Sequence, residues 1–232
     1  MKLDGVFDTT GTLQAPTYGD LHREFKTALT YWPERAPVHD VPRGDGHAVL
    51  VIPGLLTTDA FTFPLRRYLT ACGYKAEGWH MGYNWGPTPR IITGLRKRLT
   101  RLADRSGGPV SVIGVSMGGI LARNLAHEHP ELVRKLATVV SPVRFPTASS
   151  LKPLIHALSP FYSRDVSPQD YGRPLRMPVM AVYTRDDGLV AWESCQGADE
   201  HAHHVEVEGG HVTICRNPKV QRALAEWLAR SD

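Results

Sequence analysis

Apolar and polar positions along this chain follow two different periods. Short, near-continuous apolar runs bounded by Gly, Pro or polar clusters recur as HAVLVIPG (47–54), PVSVIGV (109–115) and MPVMAVYT (177–184). They read as buried strands. Between them lie stretches with apolar residues three and four apart. TPRIITGLRKRLTRLADRSGG (88–108) places Ile91, Leu95, Leu99 and Leu102 on one helical face. FPLRRYLTACG (63–73) reads as a helix closed by Gly73, and MGGILARNLAHEHP (117–130) and NPKVQRALAEWLARSD (217–232) read as two more. YKAEGWH (74–80), the end of LVRKLATVVS (132–141) and HHVEVEG (203–209) supply further strands. This alternation predicts one α/β domain over 1–232, with a mostly parallel sheet covered by helices on both faces.

Two segments depart from the rhythm. Residues 1–46 are irregular apart from YGDLHREFKTALTYW (18–32), where Leu21, Phe25, Ala28 and Leu29 repeat at helical spacing. This N-terminal extension is expected to pack onto the main domain. Residues 142–176 are rich in Pro and Ser, with Leu151, Leu154, Ile155 and Leu158 marking a short helix. An insertion of that length inside a compact domain reads as a lid or cap over a binding site.

Composition narrows the class. The 232 residues are 42% hydrophobic and 22% charged with a net charge of +4, as in an ordinary globular domain. Arg96, Lys97, Arg98 and Arg101 read as the solvated face of a helix rather than a nucleic-acid site. No apolar stretch is long enough to span a membrane, and MKLDGVFDTTG lacks a signal-peptide core, so the chain reads as cytoplasmic. Cys72, Cys195 and Cys215 have no CxxC spacing and read as reduced thiols. Cys195 and Cys215 each follow a loop singled out below, and a disulfide between them requires those loops to meet. HAHH (201–204) lacks the Cys or carboxylate spacing of a metal site.

The candidate chemistry centres on GVSMGG (114–119), which fits G-x-S-x-G between a strand and a helix. Such a turn lifts Ser116 above the sheet edge, and the helix start favours negative charge beside it. A serine hydroxyl needs an oriented base. Downstream, Asp186 and Asp187 follow one strand, and His211 follows the next after two glycines. The order Ser, acid, His matches what this turn requires. Asp187 is preferred over Asp186 because Gly188 and the apolar pair Leu189–Val190 anchor its loop. The backbone N–H groups of Leu55, after Pro53–Gly54, and of Met117, after the serine, are the candidate oxyanion donors. Leu56, Phe61, Leu189, Val190 and Trp192 are the candidate substrate contacts, suited to an apolar acyl chain.

On these residues the sequence resembles the α/β-hydrolase superfamily, and within it the small bacterial serine esterases and lipases. GVSMGG looks like their nucleophile elbow, YTRDDGLV like their acid loop and GGH like their histidine loop. VIPGLLTTD and the later GYNWGP are similar to a lipase-like subgroup with Pro53 where many relatives carry His. The likeness runs from about His47 onward, and no strand pair precedes HAVLVIPG, which implies a sheet of about six strands. The resemblance implies an ester substrate, small-molecule or lipid, with no cofactor and no metal. An acyltransferase using the same residues, a C–C or C–N bond hydrolase and a non-catalytic ligand-binding protein are the competing readings.

Overall fold

The structure is a computed structural model that describes residues 6–34, 36–164, 166, 173–196, 199 and 201–230. Its centre is a six-stranded sheet, all parallel: β1 (Ala48–Ile52), β2 (Lys75–Gly78), β3 (Val110–Val115), β4 (Val133–Val139), β5 (Val179–Tyr183) and β6 (His203–Glu206). The spatial order is β2-β1-β3-β4-β5-β6. The chain therefore runs outward from β1 to β2 and crosses back over β1 to β3. The carboxyl ends of β1 and β3 flank this reversal, where open parallel sheets leave a crevice for ligands.

Side-chain alternation along the strands explains the two layers of core. Val49 and Val51 of β1, with Ile113 and Val115 of β3, face one way. They meet Leu65 and Leu69 of α2 (Asp59–Ala71) and Val220 and Leu224 of α6 (Pro218–Ala229). Ala48, Leu50 and Ile52 face the other way, against Leu95 and Leu99 of α3 (Pro89–Ser106) and Leu121 and Leu125 of α4 (Met117–Glu128). Because both faces are covered, the central strands are apolar at nearly every position. Cutting one of these fully buried leucines to Ala costs about 2–5 kcal/mol.

The helix ends follow their local signals. Thr88 caps α3 by accepting the Ile91 N–H, Pro89 stands in its first turn, and Gly107 closes it at φ 72°. α4 is buried from Met117 to Ala126, as a helix covered on all sides must be. Its one buried cation, Arg123, pairs with Asp199 at 2.5 Å and donates to the Arg173 carbonyl at 2.7 Å. This ties the end of the 142–176 insertion to the centre of the domain. Within that insertion lies α5 (Lys152–Leu158). Residues 165 and 167–172 of the insertion lie outside the described residues.

α1 (Tyr18–Thr30) is opened by a capping box between Thr17 and Asp20. Only part of its apolar spacing faces inward, with Leu21 packed beside Leu189 and Val190. Phe25 and Leu29 point outward, 55% and 80% exposed, while the one buried residue of the helix is Glu24. The inner face meets loops rich in backbone N–H groups, and a carboxylate satisfies those where an apolar side chain cannot. Cys72, Cys195 and Cys215 are all free thiols. Burial pushes Cys215 up to about 12 and Cys195 well above the usual thiol range.

Candidate active site

Ser116 sits between β3 and α4 at φ 54° and ψ −124°, a conformation that L-residues adopt only under strain. Three glycines make the turn feasible. A Cβ on Gly114 would lie under 3 Å from the Gly118 carbonyl, one on Gly118 would meet the Ile52 and Pro53 carbonyls, and one on Gly119 the Ser141 side chain. The G-x-S-x-G-G spacing thus records how closely β3, α4 and the end of β1 approach one another. The Ser116 N–H donates to Val139 O at 2.8 Å and its carbonyl accepts from Gly119 N at 2.9 Å, which holds the strained residue in place.

The loop after β1 lies alongside. A Cβ on Gly54 would stand 3.3 Å from that of Ser116. Asn84, fully buried, fixes this loop: its Nδ2 donates to Pro53 O at 2.7 Å, and its carbonyl accepts the Leu56 N–H at 2.7 Å. Thr57 N–H goes to Gly54 O. Among the described residues the Leu55 N–H has no acceptor. Met117 opens α4, so its N–H belongs to the unpaired first turn of a helix.

Asp187 and His211 are joined. His211 Nδ1 bonds Asp187 Oδ2 at 2.7 Å, with both side chains buried. The other carboxylate oxygen, Oδ1, accepts the N–H groups of Leu189 and Val190, each at 2.9 Å. Asp186, its competitor, is exposed and accepts the Gly209 N–H at 3.3 Å. Burial pulls the His211 imidazole down, but the charge and hydrogen bond of Asp187, with the charge of Glu24, outweigh it. Its pKa therefore lies above the ordinary 6.5. With Nδ1 held by Asp187, Nε2 is the ring nitrogen left for chemistry. Among the described residues no hydrogen bond joins it to Ser116 Oγ. Unliganded active sites often show such a link tightening only when substrate binds.

Ser116 opens into an apolar cavity with an empty volume of ≈ 600 Å³, its open mouth included. Leu55, Met117, Phe145, Leu151, Ile155 and Val190 contribute walls. α5 supplies Ile155, and the N-terminal segment supplies Val6 and Phe7. Phe7 bridges to Thr147 and Ser149 to Val190, so the extension, the insertion and the acid loop meet around one space.

Of the five apolar contacts read from sequence, only Val190 is among the cavity walls. Leu56, at φ 55°, is turned outward and 36% exposed. Phe61 leans on the core under α2. Leu189 is buried beside Tyr183 and Cys195 and presents its carbonyl to Ser149 Oγ at 2.8 Å. Trp192 stacks on Tyr183 with centroids 5.7 Å apart and carries the Arg185 guanidinium on its face. In each case sequence proximity to a loop does not fix which way a side chain leaves it.

Sequence reading missed Glu24 altogether. Its Oε1 accepts the N–H groups of Gly188 at 2.9 Å and His211 at 2.7 Å, and its Oε2 that of Val212 at 3.1 Å. The signal for it is the pair of glycines beside Asp187 and His211. A Cβ on either Gly188 or Gly210 would overlap the Glu24 side chain.

No protein-family model matches the sequence, and no curated protein matches it. Solved structures do. A thioesterase domain from the curacin biosynthetic pathway superposes with a TM-score of 0.53 at 16% identity, covering 82% of this chain and 93% of that one. MGS-MChE2, an α/β hydrolase from the metagenome of lagoon sediments at Mar Chica, Morocco, gives 0.57 at 17%, covering 80% and 91%. The monoacylglycerol lipase of Paleococcus ferrophilus gives 0.56 at 15%, covering 79% and 96%. With its six parallel strands and helices on both faces, the chain has the fold of the α/β-hydrolase superfamily.

Proposed function

We propose that this protein is a serine hydrolase that cleaves carboxylic esters with apolar acyl groups. The observation that carries the reading is His211, pinned through Nδ1 to buried Asp187, on the same sheet edge where strained Ser116 opens into an apolar cavity.

In this reading the acyl group lies in the cavity and its carbonyl carbon meets Ser116 Oγ. Oγ attacks that carbon as His211 Nε2 takes the hydroxyl proton, and the carbonyl electron pair moves onto oxygen. The N–H groups of Leu55 and Met117 hold the oxyanion, and each such donor is worth about 10²–10³ in turnover. Collapse expels the alcohol, which receives its proton from His211. Water then attacks the acyl-serine with His211 again as base, and the carboxylic acid departs. Asp187 keeps the imidazole in the tautomer that leaves Nε2 free and stabilises the imidazolium. Structural neighbours whose names specify a thioesterase and a monoacylglycerol lipase support acyl chemistry as the class.

The test is a series of p-nitrophenyl esters from short to long acyl chains, with Ser116→Ala as control. The reading expects hydrolysis that depends on Ser116 and changes with chain length. Hydrolysis unchanged in Ser116→Ala would overturn it.

A further inference from the structure

We propose that Glu24, carried by the N-terminal helix α1, is a positioning residue of the catalytic apparatus: it clamps the acid loop to the histidine loop and places a second carboxylate beside His211. The inference rests on the proposed roles of Asp187 and His211.

Four observations support it. Glu24 is 3% exposed, although charged side chains are rarely buried without partners. Its partners are backbone N–H groups on both loops: Gly188, directly after Asp187, and His211 and Val212. A carboxylate taking three backbone N–H groups is a strong anchor. Gly188 and Gly210 then leave the room this side chain needs, since a Cβ at either position would overlap it. Finally, the charged groups acting on the His211 ring are Asp187 from the acid loop and Glu24 from α1.

The consequence is mechanistic. When His211 takes the serine proton it becomes an imidazolium. A nearby negative charge favours that form, so Glu24 adds to what Asp187 does alone. The clamp acts on geometry as well, because Gly188 N and His211 N share a single oxygen, Oε1. The separation of the two loops is thereby set by one atom. The extension before β1 thus serves as part of the active site rather than as an appendage.

The test compares wild type, Glu24→Gln and Glu24→Asp. The His211 ring titration is followed by NMR on histidine-labelled protein, assigned with His211→Gln, alongside kcat and KM for p-nitrophenyl butyrate. Glu24→Gln keeps the shape and removes the charge. Its His211 midpoint should fall below the wild-type value, and kcat should fall about 10²-fold with KM changed less than about twofold. Glu24→Asp restores the charge one methylene short, so its midpoint should return toward wild type with part of kcat. It also keeps the question decidable if Glu24→Gln does not fold. A midpoint equal to wild type in folded Glu24→Gln would overturn the proposal, whatever happens to kcat. So would a Glu24→Asp protein that loses stability while its midpoint and kcat both stay at the wild-type values, which marks a purely structural side chain. If wild-type hydrolysis does not depend on Ser116, the ester-hydrolase reading fails, and the histidine titration alone decides the clamp.

Discussion

The molecule holds two clusters of Ser, His and Asp, one at each end of its sheet. At the amino end, Ser111 Oγ bonds His47 Nε2 at 2.9 Å, and His47 Nδ1 meets Asp45. That chain of hydrogen bonds is complete. At the carboxyl end, only the His211–Asp187 link of the second cluster is closed. By residue type and contact alone, the amino-end cluster is the better triad, yet the physical setting favours the carboxyl-end one as the candidate. Ser111 lies inside regular β3, fully buried and paired in register with Val49. Ser116 lies one strand-length further on, at φ 54°, facing a cavity. Asp45 is half solvated and shared with Arg134 at 2.8 Å, whereas Asp187 is buried and accepts two backbone N–H groups besides His211.

The two histidines show the contrast most clearly. Burial dominates at His47 and takes its pKa below the usual value, so His47 favours its neutral form. At His211 the two carboxylates outweigh burial and raise it. A general base must also be stable as an acid during the reaction, and only His211 is given that stability.

Mutations at each end test this difference. Ser116→Ala should lower kcat for esters by about 10⁴–10⁶-fold while leaving the fold intact, read by steady-state kinetics alongside circular dichroism. Asp187→Asn should cost about 10⁴-fold in kcat, whereas Asp186→Asn, at an exposed position, should stay within about twofold. The reverse ranking would exchange the two acids. Gly118→Ala forces a Cβ against the Ile52 and Pro53 carbonyls and should destabilise the fold by about 1–3 kcal/mol in urea titration.

The pH profile has a fixed sign. The base form of His211 is neutral and its pKa is raised above 6.5. kcat/KM should therefore fall about tenfold per pH unit on the acid side of a midpoint above that value. A midpoint below it would contradict the electrostatics at this end of the sheet. The smallest effect belongs to the other end. Ser111→Ala should leave kcat unchanged and cost about 1 kcal/mol of stability, the worth of one buried hydrogen bond.

Much of this was legible in the sequence, for identifiable reasons. The strands are buried on both faces and so appear as apolar runs. α3 shows its stripe and its closing Gly107 because its outer face is solvated. Ser116, Asp187 and His211 stand out as candidates because Ser116 follows β3 directly, the other two lie in the loops after β5 and β6, and chain order constrains them. Glu24 was not. Its helix carries apolar residues at helical spacing, and Phe25 and Leu29 pointed to the wrong face. Its own face is chosen by backbone N–H groups on loops more than 150 residues away, which no local pattern encodes. Gly188 and Gly210 stand out in the sequence only as loop glycines, yet they also leave space for that distant side chain. The cavity walls Val6 and Phe7 escape for the same reason, since contacts with the distant Thr147, Lys152 and His156 bring them to the site.

The central claim is that Ser116, and not Ser111, is the nucleophile. The most direct measurement is covalent labelling with an alkyl fluorophosphonate, followed by peptide mass spectrometry. The fluoride leaves, and the phosphonyl group should appear on the peptide containing Ser116, with labelling abolished in His211→Ala. An unlabelled protein, or a phosphonyl group on Ser111 or any other serine, would contradict the account.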